Sequence, residues 1–301
     1  MAENASARVW TVLQLIQWSS EYLTGKGFTN GRLLSERLLA HLLQLRRVDL
    51  YVQFDRPLEA GELARYKALF LRLVAHEPLQ YLLGETEFMS LRFLVGPGAL
   101  IPRPETELLV EKALARARVM LQEQDALRII DLGTGTGCIA IALAEALPQA
   151  AVTALDSSTA ALKWARKNCE LHGLAGRVTL LQQDLKAPLP PEWRGSFDLA
   201  VANPPYIRSA DWQGLDPEIR DHEPHEALFG GEDGLDAYRS LAQQLPPLLR
   251  NGGEAFVEIG DGMAAVVGEL FKPGFQNVEL FHDLAGKERL VHLFSPGGNH
   301  E

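Results

Sequence analysis

Cysteine is nearly absent from this chain. Cys138 and Cys169 are the only two in 301 residues, too few for a disulfide framework and without the spacing of a metal site. Both read as ordinary packing residues. Long apolar runs are also missing, which excludes a membrane-spanning helix. The amino terminus, Met1-Ala2-Glu3-Asn4, has neither the basic start nor the apolar block of a signal peptide, so a cytoplasmic protein is expected. Positive charge is in deficit: 29 Lys and Arg against 39 Asp and Glu leave a net charge of −10. That counts against a broad phosphate-binding surface and against direct nucleic-acid binding. Arg116 and Arg118 are expected on the solvated side of a helix. The balance favours a protein or small-molecule substrate, and 47% hydrophobic content suffices for one large domain and a small one.

What is present is most informative at Asn203-Pro204-Pro205-Tyr206, which closes the apolar run Phe197-Asp198-Leu199-Ala200-Val201-Ala202. Neither proline has an N–H to give a sheet, and each forces its predecessor into an extended conformation, so the backbone must leave the sheet at Asn203. The corner carries two acceptors, the Asn203 side-chain oxygen and the Pro204 carbonyl, beside the ring of Tyr206. Two acceptors and a flat aromatic face suit a planar NH2 group.

Upstream, the apolar strand Leu127-Arg128-Ile129-Ile130 runs into Asp131-Leu132-Gly133-Thr134-Gly135-Thr136-Gly137 and then into the helical pattern Cys138 to Ala144. Strand, glycine turn and helix open a nucleotide-binding α/β fold. The glycines alternate as G-x-G-x-G, and Cys138 takes the third glycine's place in G-x-G-x-x-G. A ligand with adenosine but no phosphate fits this better than a dinucleotide. The strand Ala151 to Leu155 ends in Asp156, placed to accept from both ribose hydroxyls. Arg177 to Leu181 leads to Gln182-Gln183-Asp184, within reach of an adenine edge. All these groups fall at carboxyl ends of strands, where open α/β sheets bind ligands.

Elsewhere the chain reads as organisation rather than chemistry. Val9, Val12, Leu13, Ile16 and Leu23, then Leu33, Leu34, Leu38, Leu42 and Leu43 after an Asn30-Gly31 break, then Leu63, Tyr66, Phe70 and Leu73, recur at helical spacing. They predict a small bundle. Phe88, Leu91, Phe93 and Val95 predict a hairpin before Gly96-Pro97-Gly98. Ile101 to Glu107 leads into a helix that Thr106 or a neighbour caps. Glu223 to Leu235 is a polar, glycine-rich loop able to fold over a site. His225 within it has no Ser or Cys nucleophile spaced with it and reads as a surface residue. Three strand-like runs close the chain, the last two an antiparallel pair at the sheet's edge. The domains expected are a helical bundle over residues 1–82, a hairpin connector over 83–107 and a doubly wound α/β domain over 108–301.

Taken together, the glycine loop, the acidic ribose ligand and Asn-Pro-Pro-Tyr resemble a class I S-adenosylmethionine-dependent methyltransferase acting on planar NH2 groups. Over nearly its whole length the chain is similar to the release factor glutamine methyltransferases, the HemK/PrmC family. The narrow identifiers are Pro78-Leu79-Gln80-Tyr81-Leu82-Leu83-Gly84, Ile101-Pro102-Arg103-Pro104-Glu105-Thr106-Glu107 and Gly230-Gly231-Glu232-Asp233-Gly234-Leu235. The resemblance implies a Rossmann-like, mostly parallel sheet with an antiparallel last strand. It implies transfer of a methyl group from S-adenosyl-L-methionine to the N5 amide nitrogen of the glutamine in the Gly-Gly-Gln motif of peptide chain release factors, leaving S-adenosyl-L-homocysteine and needing no metal. By position, Asp131, Gly133, Thr134, Gly135, Thr136 and Gly137 hold the cofactor's methionine half, Asp156 its ribose, and Asp184 with the Leu185 backbone its adenine. Asn203, which also borders the cofactor, holds the glutamine with Pro204, Pro205 and Tyr206; Asn203, Pro204 and Tyr206 are the catalytic set. The amino-terminal helices dock the release factor. A ribosomal-protein glutamine methyltransferase and a nucleic-acid adenine methyltransferase share the corner and stand as the other readings, with a non-catalytic cofactor-binding module as a third.

Overall fold

The computed structural model describes residues 9–295; Met1-Ala2-Glu3-Asn4 lie outside them. Its contacts divide the chain into two compact units, Met1–Gly84 and Glu85–Glu301. The first is helical: α1 (Val12–Gly25), α2 (Gly31–Leu43), α3 (Arg47–Val52), α4 (Ala60–Val74) and α5 (Leu79–Leu83). Thr11 starts α1 with a capping box, its Oγ1 accepting the Gln14 N–H while the Gln14 side chain accepts the Thr11 N–H, both at 3.3 Å. Leu15, Ile16 and Leu23 of α1, Leu38 and Leu39 of α2 and Tyr66, Phe70 and Leu73 of α4 form its core. The predicted stripe errs at two places. Val9 precedes the cap, so the helical period never reaches it, and Leu33 faces water. Gly31 lets α2 approach α1 closely; a Cβ there would lie 2.9 Å from the Ser20 carbonyl oxygen.

The second unit begins with a hairpin, β1 (Glu85–Phe88) and β2 (Leu91–Leu94), then α6 (Glu107–Met120). Its turn residues Met89 and Ser90 both have positive φ, +52° and +60°, so a primed turn forms without the Asn-Gly pair that usually announces one. Asn168 ties the hairpin down: its Oδ1 accepts the Leu94 N–H at 2.7 Å and its Nδ2 donates to the Leu94 and Thr136 carbonyls at 3.0 and 2.9 Å. Leu94 and the glycine loop therefore share one buried side chain.

The remaining elements are β3 (Leu127–Leu132), α7 (Cys138–Ala146), β4 (Ala150–Asp156), α8 (Thr159–Leu171), β5 (Val178–Gln182), β6 (Phe197–Ala202), α9 (Pro217–His222), α10 (Asp236–Leu248), β7 (Leu249–Glu258), α11 (Ala264–Phe271), β8 (Asn277–His282) and β9 (Glu288–Phe294). The seven strands lie in the order β5-β4-β3-β6-β7-β9-β8. Pairings among β3 to β7 are parallel, and β9 is antiparallel to both neighbours. The last two strands form the antiparallel pair expected at the sheet's edge, with β9 against β7 and β8 outermost. Alternate residues of each central strand enter different cores. Ile129, Leu199 and Val201 pack with α6 and α7, whereas Ile130, Ala200 and Ala202 pack with α10 and α11. Every residue of β6 is buried, as a strand covered on both faces requires. The chain reverses direction across the sheet between β3 and β6, which places the ligand crevice at their carboxyl ends.

Arg116 corrects the reading that set it on a solvated face. From α6 it reaches Glu254 on β7, with Nε 2.7 Å and Nη2 2.6 Å from Oε1, while His292 Nε2 on β9 donates to Oε2 at 2.7 Å. Burial pushes the Glu254 carboxyl up, but the hydrogen bonds from His292 and Arg116 outweigh it and hold the group below its ordinary value. Arg116→Ala leaves a buried carboxylate with one partner. Urea denaturation should show a loss of about 2 kcal/mol, less than for a fully buried pair because Arg116 is partly in water.

Candidate active site

Strand register lines up the site. Leu132 of β3 pairs with Leu155 of β4 and with Ala202 of β6, and Ala202 pairs with Val257 of β7. The residues that follow, Gly133, Asp156, Asn203 and Glu258, therefore form a row along one rim of the sheet. Each of the three loop glycines after β3 has positive φ, +83° at Gly133, +57° at Gly135 and +83° at Gly137, a region costly for residues with a side chain. Their surroundings differ. At Gly137 a Cβ would sit 3.2 Å from Ala165 Cβ, so this glycine lets α7 lie close to α8; at Gly135 a Cβ would meet nothing within 4 Å.

The loop is held from behind and from the side. The N–H groups of Gly133 and Thr134 both donate to the Leu155 carbonyl, at 2.9 and 2.8 Å. Thr134 Oγ1 donates to Asp131 Oδ2 at 2.6 Å. Asp131 is wholly buried, and burial pushes its carboxyl up to about 7 against the pull of the Thr134 hydroxyl and the Ala140 N–H. Asp156 accepts the Gly135 N–H on Oδ2 and the Ser158 N–H on Oδ1, both at 2.8 Å, and burial raises its carboxyl too. Each of its oxygens thus already bonds one backbone N–H. After β5, Asp184 is exposed and accepts the Lys186 N–H at 2.8 Å, and the Leu185 carbonyl accepts from the Gln244 side chain.

Where β6 ends, Asn203 Nδ2 donates to Thr106 Oγ1 at 3.0 Å. This corrects the expectation that Thr106 caps α6, since its side chain makes no cap hydrogen bond. The hydroxyl instead accepts from Asn203. Neither Asn203 Oδ1 nor the Pro204 carbonyl has a hydrogen-bond partner among the described residues. Glu258 is 4% exposed. Burial pushes its carboxyl up to about 7 despite the Thr106 hydroxyl, with Arg289 and Arg103 pulling down and Glu105 pushing up from farther away.

These groups surround a cavity of about 360 Å³, within the usual range for a small-molecule pocket. Of the predicted residues, Gly133, Thr134, Gly135, Thr136, Asp156, Asp184, Leu185, Asn203 and Pro205 line it. Asp131, Gly137, Pro204 and Tyr206 do not. Asp131 braces the loop from beneath, and Pro204 is buried. Tyr206 is packed by its backbone and ring: a Cβ on Gly230 would be 2.8 Å from its Cα, one on Gly234 2.5 Å from its carbonyl oxygen, and one on Gly260 3.1 Å from its ring. Those contacts explain Gly230 and Gly234, which admit the Asn-Pro-Pro-Tyr corner, whereas a Cβ on Gly231 would meet the Asp236 side chain.

Sequence reasoning missed several lining or bracing groups. Cys138, read only as packing, is buried and also borders the cavity. His225 is exposed as expected, yet lines the cavity with its ring 4.3 Å from that of Trp212 and 4.6 Å from that of Phe229. Glu223 accepts the Ile101 N–H at 3.2 Å and pairs with Arg103, joining the glycine-rich loop to the segment before α6. Only Glu258 carried a signal in the sequence: an acid inside the apolar run Ala255-Phe256-Val257-Glu258-Ile259. The open space at Gly135, the paired N–H donors on Asp156 and the exposed Asp184 suit a neutral, hydroxyl-rich ligand such as a nucleoside, and the cavity fits one bearing an amino-acid tail.

Residues 14–84 match the family model described as PrmC N-terminal domain, and residues 106–214 that described as methyltransferase small domain. The chain is 45% identical over 284 residues to a release factor glutamine methyltransferase of Geobacter sulfurreducens, covering 94% of this chain and 96% of the relative. It is 41% identical over 278 residues to one of Chlorobaculum tepidum, covering 92% and 94%. Among solved structures, it is similar to a ribosomal protein L11 methylase from Lactobacillus delbrueckii subsp. bulgaricus, at TM-score 0.47 and 21% identity over 67% of this chain and 84% of that one.

Buried acids on this rim make stability depend on pH. Asp131 and Glu258 titrate near 7 when folded, against ordinary values of 3.8 and 4.5. Between those limits the native state holds protons that the unfolded chain has lost, so stability falls as pH rises. Calorimetry of the ligand-free chain should show a melting temperature that declines from about pH 5 to about pH 8. Asp131→Asn with Glu258→Gln should remove most of that slope; a slope left intact contradicts the assignment.

Proposed function

The chain belongs to the release factor glutamine methyltransferase family, and we propose that it methylates the N5 side-chain amide nitrogen of the glutamine in the Gly-Gly-Gln motif of peptide chain release factors. The observation that carries this reading is the amide of Asn203: its NH2 is held by Thr106, which leaves Oδ1 and the neighbouring Pro204 carbonyl without protein donors. A primary carboxamide brings two N–H groups in one plane, and two acceptors side by side take both.

Gly133, Thr134, Gly135, Thr136 and Gly137 hold the methionine half of S-adenosyl-L-methionine, with Asp131 bracing them from behind. Asp156 accepts from the ribose, and Asp184 with the Leu185 backbone meets the adenine. When bound, S-adenosyl-L-methionine supplies an electrophilic methyl group on a sulfonium and leaves as S-adenosyl-L-homocysteine.

An amide nitrogen is a weak nucleophile because its lone pair is shared with the carbonyl. Hydrogen bonds from its N–H groups to Asn203 Oδ1 and the Pro204 carbonyl orient the NH2 and raise electron density on nitrogen. Pro205 keeps the corner stiff, and Tyr206 anchors it against Gly230, Gly234 and Gly260. Fixing the nitrogen in line with the transferred group is worth up to about 7–11 kcal/mol in well-oriented intramolecular reactions, so geometry carries most of the catalysis. The alkylated amide is strongly acidic and loses its proton to a carbonyl or water without a dedicated base.

Docking of the release factor belongs to the amino-terminal helices, residues 1–82. Trp18 and Tyr22 of α1 support this: they stack at 5.4 Å and remain 43% and 40% exposed, and large amphipathic rings favour protein interfaces. No helix among the described residues is long and apolar enough to cross a membrane. A cytoplasmic setting, where release factors work, is part of the same proposal.

Full-length protein incubated with S-adenosyl-L-methionine and, separately, release factor, ribosomal protein and DNA should methylate only the release factor, at the Gly-Gly-Gln glutamine by peptide mass spectrometry. Asn203→Ala should lower kcat by about 10²–10³-fold, as for loss of one preorganised hydrogen-bonding group, with cofactor affinity nearly intact. Methyl transfer to another substrate, or parallel loss of cofactor binding, overturns this reading.

A further inference from the structure

We propose that Gln244 is a positioning residue that determines base specificity: from α10 it fixes the peptide group that sets the Asp184 carboxylate and the Leu185 N–H against the base of the cofactor. The inference rests on the adenine contacts given to Asp184 and Leu185 above and assigns what makes them selective.

The geometry begins in a turn after β5. There the Ala187 N–H donates to the Asp184 carbonyl at 3.1 Å, and the Lys186 N–H donates to Asp184 Oδ1 at 2.8 Å. Both bonds fold the chain back onto Asp184, as an aspartate that opens a turn commonly does. The Leu185 N–H and Asp184 Oδ2 are left without a hydrogen-bond partner among the described residues. Asp184 and Leu185 both line the cavity, so they offer it an acceptor beside a donor. The Watson–Crick edge of adenine carries the complement, an amino donor beside a ring-nitrogen acceptor.

Gln244 acts on the peptide that joins Leu185 to Lys186. Its Nε2 donates to the Leu185 carbonyl, and the N–H of that same peptide is the one bound by Asp184 Oδ1. A trans peptide points its C=O and N–H to opposite sides. Holding the carbonyl from α10 therefore aims the N–H at Asp184, which settles which carboxylate oxygen is used and which is left for the base. The helix is a firm origin for that bond. Leu241, Leu245 and Leu248 are buried in the core against which the Leu185 side chain also packs, and the Tyr238 hydroxyl donates to the Glu258 carbonyl at 3.0 Å. Ala237, two turns before Gln244 and so on the same face of α10, lines the cavity itself. Gln244 Oε1, by contrast, is buried without a hydrogen-bond partner among the described residues. An unpaired buried acceptor is unfavourable, so the donor is the half of this amide that is used. Lys186 Nζ lies 3.8 Å from Asp236 Oδ2 at the start of α10, and both side chains are too solvated to orient the peptide in its place.

The test measures, by calorimetry on the full-length chain, the Kd for S-adenosyl-L-homocysteine and for S-inosyl-L-homocysteine, whose base presents an oxygen and an N–H in place of the amino group and the ring nitrogen. That edge opposes both protein groups. The wild type should bind the inosyl ligand at least about 100-fold more weakly, because its oxygen meets a carboxylate and its N–H meets another N–H. Gln244→Met, of similar length and without a donor, should weaken S-adenosyl-L-homocysteine about tenfold and leave the inosyl ligand nearly unchanged, so that the preference falls to about tenfold. Gln244→Lys, which keeps a donor and drops the unpaired acceptor, should retain most of the preference. Asp184→Asn should also lose it, and adding Gln244→Met to that variant should change little more, because the two residues act through one peptide. A residue that merely anchors the loop would weaken both ligands alike. Equal losses for the two ligands, or a full preference kept in Gln244→Met, overturn the proposal. Should Gln244→Met not fold, Gln244→Ala carries the same expectation. A wild type that binds both ligands equally, or neither, overturns the adenine contacts themselves and this proposal with them. Methylation of release factor is a separate measurement, and its failure leaves these binding constants to decide the role of Gln244.

Discussion

Two consecutive residues without an N–H end the pairing of β6, and the rest of the site is arranged around that interruption. A buried strand ordinarily uses all its carbonyls in the ladder. Here the ladder stops at Ala202, and Asn203 and Pro204 keep acceptors that no backbone donor reaches. Such a corner is stable only if something else fixes it. The fixing comes from backbone packing, through the glycines at 230, 234 and 260, and from one side-chain bond, Asn203 to Thr106.

Along this rim lie the buried polar side chains of Thr106, Asp131, Thr134, Thr136 and Glu258. Thr134 bonds Asp131 within its own loop, whereas Asp156 with Gly135, Glu223 with Ile101 and Arg103, and Asn168 with Leu94 and Thr136 join segments distant in the chain. Burying such groups costs free energy unless each is matched. The matched ones hold loops. The acceptors of the corner, Asn203 Oδ1 and the Pro204 carbonyl, have no partner among the described residues.

Local signals were reliable where a residue's own backbone decides the outcome. The glycine loop, the prolines after β6 and the acid ending β4 all stand where their spacing put them. Readings failed where the partner is distant. Thr106 looked like a helix cap because capping is the commonest use of a threonine before a helix, yet its partner lies 97 residues away. Arg116 looked solvated because its helix neighbours are, while Glu254 waits 138 residues on. The Met89-Ser90 turn has no Asn, Asp or Gly at its positive-φ positions, and Glu107, accepting the Met89 N–H at 2.6 Å from 18 residues away, helps to hold it.

By itself the sequence determined the order of the main strands and helices, the glycine loop and proline corner at the strand ends, and the family, because apolar periodicity, glycine and proline act within a few residues of themselves. Tertiary structure alone decided that β9 enters between β7 and β8, that Tyr206 braces rather than lines the cavity, and that Asn203 turns its oxygen outward. Those outcomes depend on strand register and on hydrogen-bond polarity between segments a hundred residues apart, and neither is written in any one of the segments.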